Sequence, residues 1–192
     1  SESAVKVTVP ISKSKSVPVV ADFSNLPSGF SKSSISYKVN HGTVTVIGTP
    51  DAIDKITQVT LSAIDITTVS KSSYSFDVSP KLPEGVRLLD SIEDFTVTVD
   101  VSDYSERSFT VSEIRYKGLS SGLSASSGTV IRNVKICGPR SVINKLTADM
   151  LYAETDLTDM AAGEHTVFVT VRCDEYNNIW QVGSYSTTVK IQ

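Results

Sequence analysis

The sequence contains an internal repeat with a period of about ninety residues. Residues 44–56 align with residues 134–146 at a constant offset of 90 and without a gap. Both segments read as an alternating strand, a glycine-containing break and a short amphipathic stretch. A repeat of this kind constrains the fold strongly, because both copies are expected to form the same arrangement of strands and turns.

The alignment extends in both directions from this segment, and the offset drifts by only two residues over the whole copy. The flanking pairs are 15–19 with 107–111, 63–66 with 154–157, 74–78 with 165–169, and 96–99 with 188–191. A copy of about ninety residues can bury a core of its own, unlike repeats of roughly 20 to 45 residues that must stack. We therefore predict two domains, residues 1–101 and residues 102–192.

The predicted domains have almost no linker between them. Residues 96–101 read as a strand and residues 103–107 as a brief turn before the next strand. The sequence therefore predicts two modules that are joined stiffly and have an elongated outline.

The composition favours strands over helices. Ser, Thr and Val are abundant, and β-branched side chains fit a pleated surface better than a helix. Alternation with a period of two is plain in residues 5–9, 97–101 and 167–171. We predict a mainly β fold, with two tandem β-rich modules.

Helix signals occupy one place in each copy, directly after the Gly/Pro break. In residues 51–56 and 141–146, Asp51 or Ser141 is expected to cap the free amides of a first turn. An apolar pair spaced by three residues then seats this turn on the core. The prediction is one short helix per module.

Charge and hydropathy argue against two classes of partner. The formal net charge is −3, from 18 basic and 21 acidic residues, and the chain lacks the basic cluster that phosphate recognition needs. Its longest apolar runs are a few residues, far short of the roughly 20 residues of a membrane helix. We expect no nucleic-acid partner and no membrane span within this fragment.

The two cysteines, Cys137 and Cys173, both lie in strand-like runs. In such a position a free cysteine acts as a small buried hydrophobe, so core packing is the favoured interpretation. A disulfide is the alternative, although two strands seldom bring arbitrary cysteines within bonding range. A metal site would need more ligands than the neighbouring sequence supplies.

Candidate catalytic residues are few. Only His41 and His165 could supply an imidazole base, and they lie in a turn and in a strand without the partners that catalysis needs. We therefore expect no catalytic, cofactor-binding or metal-binding residues and no enzyme activity, and no cofactor.

Two features that recur in both copies have a functional and a structural interpretation. Asp65 and Asp156 could be paired carboxylates or metal ligands, but an Asp two residues before a Thr or an Asp commonly closes a turn. Gly48 and Gly138 could suggest a phosphate loop, yet the further glycines and the Lys-Ser/Thr of such loops are missing. Structural roles are favoured for all four residues.

Large aromatic side chains flank a predicted hairpin turn in the second copy alone. They are Tyr176, Trp180 and Tyr185, around Asn177-Asn178. Aromatic residues at a loop can anchor a binding partner. Core packing of Trp180 is the favoured alternative, because a single Trp in a β domain usually fills the interior.

The repeated motifs resemble those of the YbbR-like domain family over nearly the whole chain. The second copy supplies Gly138-Pro139-Arg140-Ser141-Val142-Ile143 and Asp156-Leu157, and the first supplies Leu82-Pro83-Glu84-Gly85-Val86 and Asp65-Ile66. Each copy also departs from the pattern. Pro50 is shifted by one place in the first, and Asp174-Glu175-Tyr176-Asn177-Asn178 replaces the Leu-Pro-Glu-Gly turn in the second.

This resemblance implies a bacterial protein whose modules lie on the outer face of the cytoplasmic membrane, behind an N-terminal membrane helix. The chain opens Ser1-Glu2-Ser3 without a signal-peptide pattern, so we expect a fragment of such a protein. Relatives of this architecture regulate a membrane-bound diadenylate cyclase, which makes cyclic di-AMP. The implied partner is this cyclase, and the implied function is non-enzymatic interaction.

Two alternatives stay open at the level of sequence. One is a cell-surface domain that binds a wall polysaccharide or another ligand, with Tyr176 and Trp180 as its anchor. The other is an uncharacterised hydrolase, which would need a polar cluster assembled around His41 or His165.

Overall fold

A computed structural model describes residues 11–90, 92 and 94–192 of the chain. The strand predicted at residues 5–9 lies outside the described residues. Contacts divide the chain into two units. The first unit comprises residues as far as Asp22, Tyr37–Ala63 and Ser75–Thr98, and the second comprises Phe23–Ser36, Ile64–Tyr74 and Val99–Gln192.

The chain is mainly β, as predicted, with one short α-helix in each copy of the repeat. The elements of the first copy are β1 (Lys13–Ser24), β2 (Tyr37–Val39), β3 (Thr43–Gly48), α1 (Pro50–Lys55), β4 (Val59–Asp65), β5 (Ser75–Val78), β6 (Pro80–Lys81), β7 (Val86–Leu88) and β8 (Phe95–Val99). Short 3₁₀ turns occur at Lys32–Ser34 and Ile66–Thr68.

The second copy also has eight strands and one α-helix, but four strands precede its helix where three do in the first copy. Its elements are β9 (Tyr104–Val111), β10 (Glu113–Lys117), β11 (Ala125–Ser126), β12 (Ile131–Pro139), α2 (Arg140–Ile143), β13 (Leu151–Asp156), β14 (Gly163–Cys173), β15 (Trp180–Gln181) and β16 (Tyr185–Ile191). A 3₁₀ turn at Ala148–Met150 precedes β13.

Each copy forms a five-stranded and a three-stranded sheet among the described residues. The strand orders are β6-β4-β1-β3-β7 and β2-β8-β5 in the first copy, and β15-β12-β9 and β10-β13-β14-β16-β11 in the second. Strand β10 pairs in parallel with β13, whereas β14 pairs antiparallel with both β13 and β16.

Strand register confirms the alignment of the first hairpin. Ser16 pairs with Thr45 between β1 and β3, and Ser108 pairs with Lys135 between β9 and β12. The two pairs are related by offsets of 92 and 90, the offsets found in the sequence. The repeat is therefore a repeat of strand pairing as well as of residue type.

The last strand pair differs between the copies by two residues. Phe76 of β5 faces Val97 of β8. The sequence alignment places Val167 and Val189 at these positions, but Val167 faces Thr187 instead. A shift of two residues leaves every side chain on its own face of the sheet, because side-chain direction alternates along a strand.

The repeated glycines lie where neighbouring backbone approaches too closely for a side chain. A Cβ on Gly48 would lie 2.5 Å from the carbonyl oxygen of Gly85. A Cβ on Gly138 would lie 2.7 Å from Cγ2 of Ile179 and 3.0 Å from the carbonyl oxygen of Asn178. The structural interpretation of both glycines is therefore confirmed.

The predicted helix caps are wrong. The N-cap residues are Thr49 and Pro139, and neither makes a side-chain capping hydrogen bond. Asp51 lies inside the first turn of α1, because that helix begins at Pro50, whose fixed φ suits the first helical position. Ser141 likewise lies inside α2, which begins at Arg140.

The seating of the helices agrees with the sequence pattern. The apolar residues spaced by three, Ile53 with Ile56 and Ile143 with Leu146, are all buried. In the second unit Ile143 and Leu146 join a core formed by β9, β12, β13 and β14. These apolar residues therefore seat each helix on the core.

Among the described residues, no helix is long and apolar enough to cross a membrane.

Candidate functional site

A concavity of the second unit lies on the outward face of its five-stranded sheet. A cavity of about 810 Å³ adjoins a second cavity of about 590 Å³ on this face. We call the two together the Phe168 groove. The residues that line both cavities are Lys117, Glu154, Phe168, Thr170 and Arg172.

The floor of the groove consists of alternate residues from three paired strands. Arg115 of β10 pairs with Glu154 of β13, and Glu154 in turn pairs with Thr170 of β14. Because side chains alternate between the faces of a sheet, these residues point away from the core. Tyr152 and Arg172, which pair with one another, extend the same row.

Two cations share one carboxylate at the centre of the floor. Lys117 Nζ lies 2.7 Å from Glu154 Oε2, and Arg172 Nε donates to Glu154 Oε1 at 3.0 Å. Burial alone would raise the pKa of Glu154, but the hydrogen bond from Lys117 and the charge of Arg172 outweigh burial and hold this pKa below its usual value. Glu154 is therefore a carboxylate at neutral pH.

A second charged cluster lies beside the first. The guanidinium of Arg115 donates to Glu113 at 2.6 Å and to Asp174 at 2.9 Å, and it stacks 3.5 Å from the centre of the Tyr152 ring. Tyr152 donates its hydroxyl to Asp174 at 2.8 Å. The hydrogen bond from Arg115, followed by that from Tyr152, lowers the pKa of Asp174.

These contacts pair the charged groups of the two clusters with each other. Three cations and three carboxylates pair with each other across β10, β13, β14 and the turn that follows β14. The face has no excess of positive charge with which to attract phosphate groups.

Phe168 is the large apolar side chain of the groove that remains open to solvent. It is 78% exposed, whereas Val167 and Val169 on either side of it are buried in the core. The alternation of residues 167–171 correctly predicts that Phe168 points to solvent and that Val167 and Val169 point into the core. The sequence interpretation nevertheless passed over Phe168 as a surface feature, although an aromatic residue at an outward position was visible in the pattern.

The repeated aspartates close turns, as the structural interpretation predicted. Asp65 Oδ1 accepts hydrogen bonds from the backbone N–H of Thr67 at 2.9 Å and from its hydroxyl at 2.8 Å. Asp156 Oδ1 accepts the same two bonds from Thr158, at 2.9 Å and 2.5 Å. These bonds, that from the Thr158 hydroxyl first, lower the pKa of Asp156.

Trp180 fills the interior of the second unit. It is 3% exposed, its indole N–H donates to the carbonyl oxygen of Val69 at 3.0 Å, and Tyr104 packs edge-on against it at 5.4 Å. Tyr185 is held by its hydroxyl, which accepts from the backbone N–H of Lys135 and donates to the carbonyl of Val182. Core packing of Trp180 is therefore the correct interpretation.

The histidines and cysteines have structural surroundings. His165 Nε2 lies 2.8 Å from the carbonyl oxygen of Ala161, and the ring of His41 lies edge-on to Phe95 at 5.9 Å. Cys137 and Cys173 are free thiols, and burial raises the pKa of Cys137 to about 12. Within the described part of the chain, no group of three His, Cys, Asp or Glu residues could hold a metal.

Comparison with known proteins identifies the family. A family model described as YbbR-like protein matches residues 17–87, within the first copy of the repeat. The first copy of the repeat therefore contains a YbbR-like module. The order and spacing of the motifs in the second copy resemble those of the same family.

A curated relative spans nearly the whole chain. The CdaA regulatory protein CdaR of Bacillus subtilis is 28% identical over 196 residues, which cover 98% of this chain. The chain spans 39% of the length of that relative.

Two solved structures are also similar in sequence or coverage. A solution structure of a Streptococcus thermophilus protein is 31% identical and covers 49% of this chain and 89% of its own, with a TM-score of 0.33. A crystal structure of a YbbR-like protein from Streptococcus pneumoniae is 13% identical and covers 98% of both chains, with a TM-score of 0.34.

Proposed function

We propose that this chain is a non-enzymatic regulatory pair of YbbR-like modules that acts by contact with a membrane-bound diadenylate cyclase. The observation that carries the proposal is the alignment with the CdaA regulatory protein CdaR over 98% of the chain. The alignment includes both copies of the repeat, so it relates the entire module pair to a protein whose name describes regulation of CdaA.

The described structure suits contact better than chemistry. The side chains of Lys117, Glu154 and Arg172, which line both cavities of the Phe168 groove, are engaged in ion pairs with each other. The repeated aspartates are likewise engaged in turns. A nucleophile beside an available base, which hydrolysis would require, is not formed by His41 or His165 in the surroundings described above.

Co-purification tests this function directly. The full-length protein, carrying an affinity tag, is expressed in bacterial membranes together with the diadenylate cyclase, and the cyclase recovered after detergent extraction is quantified. Cyclic di-AMP is measured in parallel in a strain that lacks the protein and in the complemented strain. We expect recovery of the cyclase and a nucleotide level that changes on deletion and returns on complementation. Failure of both would refute the proposal.

We further propose that the module lies on the outer face of the cytoplasmic membrane, as the family resemblance implies. Fusion of alkaline phosphatase to the C-terminus of the full-length protein tests this, because the enzyme is active only outside the cytoplasm. We expect an active phosphatase fusion and an inactive β-galactosidase fusion. The opposite pair of activities would contradict the proposed location.

The alternative of wall-polysaccharide binding is weakened, because one of its two proposed anchor residues is buried. It depended on Tyr176 and Trp180 as an exposed aromatic surface, but Trp180 is buried and hydrogen-bonded to Val69. Carbohydrate recognition usually places an open aromatic ring against the sugar, and Trp180 does not offer one.

A further inference from the structure

Two loops of the first copy belong to the second unit and are covered there by residues of the second copy. The loops are residues 26–30, which follow β1, and residues 66–70, which follow β4. Three of their carbonyl oxygens accept hydrogen bonds from the segment 177–183: Gly29 from Asn177 Nδ2 at 3.1 Å, Thr67 from the backbone N–H of Gly183 at 2.9 Å, and Val69 from Trp180 Nε1 at 3.0 Å. Within this contact Val69 is fully buried and Ser70 is 3% exposed.

The second copy contains the same two loops at the corresponding positions. Residues 119–123 align with residues 26–30 at an offset of 93, one residue more than the offset of the strand before them. They read Leu-Ser-Ser-Gly-Leu against Leu-Pro-Ser-Gly-Phe. Residues 157–161 align with residues 66–70 at the offset of 91 that relates the two aspartate turns. We call residues 119–123 and 157–161 the second-copy loops.

The backbone of the loops is repeated as closely as their sequence. Gly29 and Gly122 both have a positive φ, of +78° and +88°. Each loop is also closed by a backbone hydrogen bond over three residues, and the matched bonds are Phe30 to Pro27 at 3.1 Å with Leu123 to Ser120 at 3.2 Å, and Val69 to Ile66 at 3.0 Å with Met160 to Leu157 at 3.1 Å. The second-copy loops therefore have the backbone form that is used for contact in the first copy.

The second-copy loops differ from their counterparts in exposure. Val69 is fully buried, but its counterpart Met160 is only partly buried. Ser70 is 3% exposed, but its counterpart Ala161 is open to solvent. Three carbonyl oxygens that correspond to the acceptors above receive no hydrogen bond from the described part of the chain, and they belong to Gly122, Thr158 and Met160. The same surface is covered in one copy and open in the other.

The end of strand β16 lies beside both second-copy loops. Gln192 exchanges two backbone hydrogen bonds with Ser124, at 2.7 Å and 2.9 Å, and Ile191 pairs with Gly163. The end of β16 aligns with the end of β8, and β9 begins only five residues after β8 ends. A module attached to β16 by an equally short linker would begin beside these loops. The relative CdaR has chain for further modules, because the alignment spans 39% of its length.

We propose that the second-copy loops bind a further module of the same repeat in the full-length protein, through the segment of that module that corresponds to residues 177–183. This segment supplies N–H donors to the carbonyl oxygens of Gly122, Thr158 and Met160, and it buries the apolar side chains beside them. The covered loops of the first copy show both the donors and the burial that such a contact provides. The inference is independent of the proposed function.

Oxidation of methionine tests the contact, because the chain has two methionines and Met160 lies in a second-copy loop. Purified full-length protein and the 192-residue chain are treated with hydrogen peroxide, and the sulfoxide at each methionine is followed by mass spectrometry. We expect Met160 to oxidise about fivefold more slowly in the full-length protein, because the bound module excludes the oxidant. Met150, which packs against the main core of the second unit, is the internal control and should oxidise equally fast in both. Equal rates at Met160 would overturn the proposal.

A substitution in the loop gives a second measurement. In the full-length protein, Ala161→Arg places a long side chain at the position whose counterpart Ser70 is buried, so we expect Met160 to oxidise as fast as in the 192-residue chain. Thr166→Arg is the matched control, because Thr166 is exposed on β14 outside the loops, and it should leave the protection of Met160 unchanged. An unchanged rate at Met150 verifies that each variant is folded. Protection of Met160 that persists in Ala161→Arg would contradict the contact.

Two further outcomes would assign the surface to a different occupant. Protection of Met160 that is lost on dilution of the full-length protein would mean that a second molecule covers the loops, and it would overturn a module of the same chain. Protection that requires addition of the diadenylate cyclase would assign the loops to that partner. Protection in the purified full-length protein alone, independent of its concentration, is the result that we expect.

Discussion

At the scale of single residues, glycine is required at Gly118 for two separable reasons. Its φ of +70° lies in the left-handed region, and a Cβ would collide with the hydroxyl of Thr158 and lie 2.6 Å from Asp156 Oδ1. The turn closed by Asp156 therefore packs directly on this glycine. Gly122 has a similar φ of +88° but no heavy atom within 4 Å of the position of a Cβ.

Comparison of Gly118 with Gly122 separates the effect of backbone strain on stability from the effect of steric contact. Both Gly118→Ala and Gly122→Ala place a side chain at positive φ, but only the first also crowds a turn. We expect Gly118→Ala to reduce the free energy of unfolding by about 1–3 kcal/mol more than Gly122→Ala does. Urea denaturation followed by circular dichroism measures both. Equal losses in the free energy of unfolding would show that the turn closed by Asp156 moves to make room for the added methyl group.

Glu154 makes stability depend on pH in a definite direction. Its pKa is lower in the folded chain than its ordinary value, so its contribution is fully present above about pH 4.3 and is lost as the pH falls through the lower, folded pKa. We expect Glu154→Gln to melt a few degrees below the unchanged protein at pH 7. The difference in melting temperature should narrow as the pH falls below about 4.3.

Thermal denaturation over this pH range measures the effect. Glu164→Gln is the control, because Glu164 is an exposed glutamate at the start of the neighbouring strand, β14. A difference in melting temperature between Glu154→Gln and the unchanged protein that stays constant with pH would contradict the assigned role of the Glu154 carboxylate.

At the scale of elements, β14 changes partners part-way along its length, and one side chain bridges the change. Pairing with β16 ends at Val169. Beyond that point Gln181 Oε1 accepts from the backbone N–H of Val171 at 2.7 Å, and its Nε2 lies 3.5 Å from the carbonyl oxygen of Val169. The amide of Gln181 therefore acts as a short continuation of the missing strand.

Removal of this amide is expected to destabilise the second unit. Gln181 is 7% exposed, so Gln181→Leu would leave the N–H of Val171 buried without a partner, at a cost of about 1–3 kcal/mol. Urea denaturation with an unchanged m-value is the measurement. The exposed Gln58→Leu is the control and should change stability by less than about 0.5 kcal/mol. If Gln181→Leu leaves stability unchanged, water or backbone movement must supply a hydrogen-bond partner for the N–H of Val171.

The elements also show what the sequence can and cannot predict. Alternation and the repeat predicted strands such as β8 and β14, the two short helices and the aspartate turns, because each depends on residues close in the chain. The caps were predicted wrongly because α1 begins at Pro50, two residues earlier than a helix capped by Asp51 would begin. The bridging role of Gln181 was not visible, because it depends on where β16 stops pairing with β14.

At the scale of the whole molecule, the repeat and the contacts divide the chain differently. The repeat places a boundary near residues 101–103, and the domains 1–101 and 102–192 stay a prediction. The contact-based second unit also contains Phe23–Ser36 and Ile64–Tyr74. The place of Trp180 illustrates why sequence could not anticipate this, since its hydrogen-bond partner, Val69, is 111 residues distant in the chain.

Expression of residues 102–192 alone tests how far the second copy is independent. The fragment lacks Val69, which accepts the indole N–H of Trp180, and Phe30, whose ring lies 6.3 Å away. If the copy folds by itself, we expect the circular dichroism of a β protein. We also expect the Trp180 fluorescence to be red-shifted, and to be quenched by acrylamide more readily, than in the full chain.

A Trp180 emission identical to that of the full chain would contradict the packing described for Trp180. Loss of the strand signal would show that the segments 23–36 and 64–74 are needed for folding, because the core then requires them to exclude water from its edge.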